Sequence, residues 1–308
     1  MDIEAKYFLG TITLDNHKKL ELTPSEYISI QLARRILGIA LNIEEKYDLA
    51  LCNYLEFEKE QLILTLDNLA NSVHFDYHHS YKILSTLNRR LVNFLSTAKQ
   101  YTERVAGLAS KCSTNESETE NTISTLLSKH YDDTLDYRAM EALRNHVNHY
   151  GLAVHTISTP SKWTLTEQKK ADQLVFNLEI YAEKTALAEN SKFKRNILDE
   201  LPDRYDLKKG ARAYIGAISH VHEEVRRLIG DSADTARKTI EAYLKSYANL
   251  NDGDSFAVGA FIVKNGEEIV PHTVINLSWD DVRIELQKKN ISVSNMINRH
   301  ISSSIVIK

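Results

Sequence analysis

The sequence predicts a mainly α chain: a long-helix bundle with a small β insertion after a polar motif helix and a small α+β C-terminal unit. Three observations predict it. Gly and Pro number only 10 and 4 in 308 residues, against ordinary shares of about 7% and 5%, so tight turns are few. Apolar residues recur in heptad steps over long stretches, as helices packed nearly parallel require. The few Gly and Pro that remain fall at expected boundaries, Pro24, Gly151, Gly230 and Gly266.

Taken in order, residues 1–22 read as an N-terminal β-hairpin, with a strand over Tyr7–Leu14, a turn at Asp15-Asn16 and a second strand over Leu20–Leu22. Helix then begins at Thr23-Pro24-Ser25-Glu26, where Thr caps, Pro takes the first helical position and Glu reaches back to the cap. Helical spacing continues almost to Val73. Leu84, Leu87, Leu91, Phe94, Ala98, Tyr101, Val105 and Leu108 form one seam. Leu207, Ala211, Tyr214, Ile218, Val221, Val225 and Leu228 form a second, and Ala233, Ala236, Ile240, Tyr243, Tyr247 and Leu250 a third. The Gly230-Asp231-Ser232 step between the last two predicts an antiparallel helical hairpin.

Ser113–Glu118 is polar and reads as an exposed, flexible linker. A helix follows over about 120–150 and stops at Gly151, a position suited to a left-handed cap. Residues 153–187 switch to β character in Val154–Ile157, Trp163–Leu165 and Leu174–Tyr181. The organisation is thus a hairpin over 1–22, a helical domain over 23–250 with its β insertion near 153–187, and a unit over 251–308. In that last unit Asn265-Gly266 separates two apolar runs, a strong hairpin signal.

The net charge of −4 supplies no global basic field, so a nucleic acid would have to be held by a local patch. The two cysteines, Cys52 and Cys112, make neither a disulfide framework nor a zinc quartet. No apolar run is long enough to span a membrane, and the acidic start MDIEAKYFLG lacks a signal pattern. The expectation is a cytoplasmic chain with reduced thiols and no membrane partner.

The densest polar cluster is Tyr137–Gly151, containing Arg144-Asn145-His146-Val147-Asn148-His149-Tyr150 at a helix end. Histidine moves protons near neutral pH, and arginine holds a phosphate and stabilises charge on it. RNA carries its own nucleophile in the 2′-hydroxyl, so the pair can cleave a phosphodiester without cofactor or metal. Arg144 and His149 lie about 140° apart on an ideal helix. They converge on one atom only if the last turn loosens or two copies of the helix face each other. A plain structural role for the same residues is a solvated helix terminus, with His146 and His149 complementing the dipole.

This string resembles the R-x4–6-H motif of the HEPN superfamily (higher eukaryotes and prokaryotes nucleotide-binding), in its R-x-x-E-x-L-R-N-x-x-x-H form. The resemblance covers about 15 residues. It implies an α-helical bundle that forms a homodimer with a composite site, and a metal-independent endoribonuclease. It also implies a role as a bacterial toxin or antiphage defence effector, with an antitoxin or defence partner protein. Arg144 and His149 would be catalytic. Asn145 would position the phosphate or the arginine, with Glu141, His146, Asn148 and Tyr150 in support. The branch with R-x4-H-x-Y has its tyrosine two residues after the histidine, whereas here Tyr150 is adjacent. The alternative is a non-catalytic helical assembly or nucleotide-binding protein built on the same seams.

Other clusters read more plainly. His74 and His78, with His79, offer an i, i+4 pair whose ligand set is incomplete, so no metal is expected. His220 reads as exposed and His222 as a packing residue. Lys192/Lys194/Arg195, Lys208/Lys209/Arg212 and Arg226/Arg227 can form an RNA track if they fold onto one side. Tyr77, Tyr101, Tyr214, Tyr243 and Tyr247 fall at seam positions and are expected in the core. P-loop, G-x-G-x-x-G, H-E-x-x-H and G-x-S-x-G patterns do not occur, which argues against the common nucleotidase, dehydrogenase, zincin and hydrolase classes.

Overall fold

The computed structural model describes residues 5–13, 17–71, 76–264 and 267–299. In chain order the elements are β1 (Lys6–Thr11), β2 (Leu20–Leu22), α1 (Pro24–Asn71), α2 (Tyr77–Thr102), α3 (Val105–Ser110), α4 (Glu116–Asp133) and α5 (Leu135–His149). The β insertion follows with β3 (Thr156–Ser158), β4 (Ser161–Leu165), β5 (Ala171–Phe176) and β6 (Glu179–Glu183). Then come α6 (Lys184–Ala188), α7 (Arg195–Glu200), β7 (Arg204–Asp206), α8 (Leu207–Leu250), β8 (Val258–Lys264), β9 (Glu267–Val274) and α9 (Ser278–Lys289). The chain is mainly α, as its composition predicts. No helix among the described residues is long and apolar enough to cross a membrane.

Two compact units emerge. The first comprises residues 1–45, 105–122 and 224–291. Its sheet runs β2-β1-β8-β9, with Phe8 opposite Phe261 and Leu9 opposite Ala260. The N-terminal hairpin and the C-terminal strands, which the sequence reading keeps apart, therefore share one sheet. Both turns expected there, at Asp15-Asn16 and Asn265-Gly266, lie outside the described residues. The predicted cap of α1 is present: Thr23 N donates to Glu26 Oε2 at 2.7 Å and Glu26 N to Thr23 Oγ1 at 3.3 Å. Buried charges are paired, as burial demands. Arg283 and Arg237 both bond Asp280, which is fully buried, and Arg226 makes a two-pronged contact with Glu44.

Ser113–Glu118 is not a loose linker. Glu116 opens α4, and Asn115 caps it by accepting from Glu118 N and donating to Glu118 Oε2 at 2.6 Å. The short polar side chains that suggested a loop are the ones that satisfy free amides at a helix start.

The second unit comprises residues 46–104, 123–223 and 292–308. Tyr54, Phe94, Tyr214 and Tyr137 form a chain of ring contacts through its core, with centroid separations of 5.6, 5.9 and 4.8 Å. Tyr101 and Tyr214 are buried as expected. Tyr77 is not: it is 89% exposed, because it is the first residue of α2 and stands ahead of the helix's first buried residue, Ile83. In the first unit Tyr247 is buried and Tyr243 only half-buried.

The helix expected over 120–150 is broken at Thr134, whose φ of −129° and ψ of 114° are extended. Arg138 bridges the break, donating to the Asp132 carbonyl at 3.1 Å and pairing with Glu200. α5 ends without a left-handed glycine. Tyr150 N and Gly151 N both return to the His146 carbonyl, at 2.9 and 3.2 Å, which satisfies it without positive φ. Gly253 is the left-handed glycine among the described residues, at φ +93°. Its N–H bonds the Ala248 carbonyl at 2.9 Å and closes α8, the pattern of a Schellman cap whose left-handed residue is the preceding Asp252, at φ +55°.

The second and third heptad seams belong to one helix, α8, and the hairpin expected at Gly230 does not form. Val221, Val225, Ile229, Ala233, Ala236 and Ile240 are all buried, so the apolar stripe crosses Gly230 in phase. A single interior glycine costs only about 1 kcal/mol, too little to break such a helix.

Candidate functional site

The site is built on one face of α5. Ala142, Asn145, His146, His149 and Tyr150 recur at i, i+3, i+4, i+7 and i+8 and so share that face. Asn190–Lys194, between α6 and α7, supplies the facing wall, and together they line a cavity of about 490 Å³, within the usual size range for ligand sites.

His146 holds the two walls together. It is 2% exposed. Asn190 Nδ2 donates to His146 Nδ1 at 3.1 Å, while Asn190 Oδ1 accepts from Lys192 N at 3.0 Å. The second imidazole nitrogen, Nε2, therefore carries the proton and donates to the Leu152 carbonyl at 3.2 Å. Burial pulls the His146 pKa below the ordinary histidine value, which favours the neutral ring. Phe193 meets it edge-on at 6.0 Å. These contacts make His146 a positioning residue, part of the cavity floor.

The chain leaving α5 is fixed from α2. Asn88 Oδ1 accepts from both Ala153 N and Val154 N, at 3.0 and 2.9 Å, and its amide donates back to the Val154 carbonyl. A buried side-chain amide thus takes the place of a strand partner for this segment.

His149, the last residue of α5, is exposed and lines the cavity. Among the described residues its ring has no hydrogen-bond partner. Arg144 is absent from the cavity lining. Its Nη1 donates to Asn145 Oδ1 at 3.0 Å, and its Nε is buried with no partner among the described residues. Within one chain, then, the structure does not bring Arg144 and His149 together, and Asn145 is the residue that links the arginine to the cavity. Tyr150 lines the cavity at 53% exposure; Asn148 is exposed and does not line it.

Glu141, expected to support the site, is engaged elsewhere. Its Oε2 accepts from Lys99 Nζ at 2.7 Å, and its Oε1 accepts from the Tyr214 hydroxyl. Burial and the carboxylate beside it push the Tyr214 pKa far up. The carboxylate is an internal tie joining α5 to α2 and α8.

Most of the basic groups are already neutralised. Arg212 bonds Glu58 through Nε and Nη2 at 2.7 and 2.9 Å, Lys208 donates to the Leu178 carbonyl at 2.8 Å, and Lys209 lies 3.7 Å from Asp136. Arg226 and Arg227 pair with Glu44 and Glu224, and Arg195 with Asp199. No long track results. Lys194 donates to the Tyr131 hydroxyl at 2.7 Å. The Lys192 ammonium, on the cavity wall, has no ion-pair partner among the described residues.

The other histidines are also placed. Asp76 caps α2 by accepting from His79 N at 2.7 Å, and His74 lies outside the described residues. No group of three or more metal-type side chains occurs among the described residues. His222 stacks on Tyr47 at 3.8 Å and bonds the Tyr101 hydroxyl at 2.9 Å, the packing role expected. The exposed His220 meets His130 at 2.9 Å.

Neither a protein-family model, nor a curated protein, nor a solved structure matches this chain. The site's chemistry therefore rests on its own residues. Sequence reasoning missed Asn190 and Phe193, which complete the cavity. The Asn190-Ser191-Lys192 step is a turn signal in the sequence, but nothing local ties it to a helix 44 residues earlier.

Proposed function

We propose that the chain is a metal-independent endoribonuclease of the HEPN type, acting as a homodimer. The observation that carries this is the cavity itself, where His149 and Lys192, neither with a side-chain partner among the described residues, share a polar space with Asn145 and Tyr150. His149 takes the proton from a ribose 2′-hydroxyl as its oxygen attacks the adjacent phosphorus. The bond from phosphorus to the 5′-oxygen breaks, that oxygen takes up a proton, and a 2′,3′-cyclic phosphate remains. Lys192 and Lys194 draw the phosphate in and offset its charge. Arg144, about 140° from His149 on its own helix, reaches this phosphate from a second copy, while in its own chain it braces Asn145. A bacterial toxin or antiphage role, with an antitoxin or defence partner protein, follows from the motif resemblance alone.

The test is cleavage of total RNA and of tRNA in EDTA by the wild type, Arg144→Ala, His149→Ala and the double variant. The reading requires wild-type cleavage giving cyclic phosphate ends, no cleavage of a 2′-deoxy substrate, and loss of at least 100-fold in each variant. Cleavage unchanged in the double variant defeats it. Arg144 lying off the cavity favours the alternative, a nucleotide-binding protein without catalysis, and RNA binding without any cleavage would select that alternative.

A further inference from the structure

The second half of α1 carries an apolar face that nothing in its own unit covers. Leu55, Leu62, Leu66 and Leu69 are 37%, 47%, 61% and 50% exposed, and Ile63 beside them is 52% exposed. Their steps of seven, four and three place the four leucines in a stripe about 60° wide on an ideal helix. Tyr54, Phe57, Glu58 and Gln61, which face the core, are buried and lie about a third of a turn away. Over residues 54–61 the helix therefore has two working faces, where a helix at a protein surface needs one, and from Leu62 to Ala70 none of its residues is buried.

We infer that this stripe is the surface through which two copies of the chain associate. Heptad spacing is the pattern of helix-to-helix pairing, each side chain entering a gap between four on the facing helix. A narrow stripe of one residue type fits a copy of itself, since a two-fold contact sets the same patch against itself. The five side chains offer on the order of 400 Å² per copy, a patch at the upper end for a monomer surface and about half of what each partner contributes to a standard interface. Lys59 takes the remaining heptad position between Leu55 and Leu62. A single polar residue in such a seam selects one register and a defined number of helices. The interface does not depend on the nuclease reading.

Sedimentation velocity on the full chain at 1–100 µM tests it. The wild type is expected at twice the 35.2 kDa chain mass, and Leu62→Glu/Leu66→Glu as a monomer at every concentration, with an unchanged far-ultraviolet spectrum and melting temperature. Leu55→Ser/Leu69→Ser, milder at the ends of the stripe, is expected to weaken association at least tenfold. Leu49→Glu, exposed on another face of the same helix, is expected to leave the dimer intact. A monomeric wild type, or a dimer surviving in both stripe variants, overturns the inference. Cleavage is measured separately: a monomeric variant that still cuts RNA at the full rate leaves this interface standing and removes the composite site.

Discussion

Asn190 Nδ2 donates to His146 Nδ1 across 3.1 Å, and this bond joins the two walls of the cavity. Asn190→Ala would leave a buried imidazole nitrogen and the Lys192 amide without partners, at a cost of about 1–3 kcal/mol. The urea midpoint should fall accordingly. Cleavage or RNA binding should fall further than the lost stability explains, because the loop carrying Lys192 is released. An unaltered midpoint would show that the bond does not form in solution.

Acid should weaken the fold through the same ring. Burial lowers the pKa of His146, and also those of His155 and His130. The unfolded chain then binds more protons than the folded one below about pH 6.5, so stability is complete above that value and declines as pH falls through it. Thermal melts from pH 7.5 to 5.0 should show this slope. His146→Gln, less stable overall, should show a shallower one, and an equal slope in both would assign the effect to other groups.

Lys192 and Arg212 should separate binding from stability. Lys192 lines the cavity and has no ion-pair partner among the described residues, so Lys192→Ala should weaken RNA binding and reduce the salt dependence of the affinity by about one charge, with no change in melting. Arg212 is bound to Glu58, itself 6% exposed. Arg212→Ala strands that carboxylate and should cost about 3 kcal/mol. Filter binding at several salt concentrations, beside urea melts, reads both.

Glu141 makes the parallel case within the motif. Because it ties Lys99 and Tyr214 and does not reach the cavity, Glu141→Ala should destabilise the fold by about 2–4 kcal/mol. Glu141→Gln keeps the shape and one acceptor and should cost less. Whatever fraction of either variant remains folded should cut RNA at the wild-type rate, which a stopped assay normalised to folded protein would reveal.

Local chemistry was legible in the sequence, and pairing over distance was not. The Thr23–Glu26 cap and the buried spacing from Leu87 to Tyr101 depend on neighbours within one turn or one helix, so residue type and spacing suffice to read them. Ser113–Glu118 reads as a linker in the sequence because the side chains that favour loops also cap helices. The polar motif residues of α5 are legible, but the face they share with Ala142 and the places of Asn190 and Phe193 are not, since the packing of α6 and α7 against His146 sets them. Glu141 and Arg212 look like free charges in the sequence, and only tertiary structure shows that each is spent.

Two glycines of α8 should respond to alanine in opposite directions. Gly230 is helical, and a Cβ there would meet nothing within 4 Å. Gly230→Ala should therefore stabilise the protein by about 0.5–1 kcal/mol, by lowering the freedom of the unfolded chain and raising helix propensity. Were Gly230 the turn of a helical hairpin with positive φ, the same change would destabilise it, so the sign alone distinguishes the two topologies. At Gly210 a Cβ would fall 2.3 Å from the Tyr205 hydroxyl and 3.0 Å from Met140 Sδ. That hydroxyl donates to Asp136 at 3.0 Å, and Met140 lies on α5, so Gly210→Ala must displace the tie or the motif helix itself. A loss of about 1–3 kcal/mol is expected from such overpacking, and urea melts of the two variants beside the wild type give both signs at once.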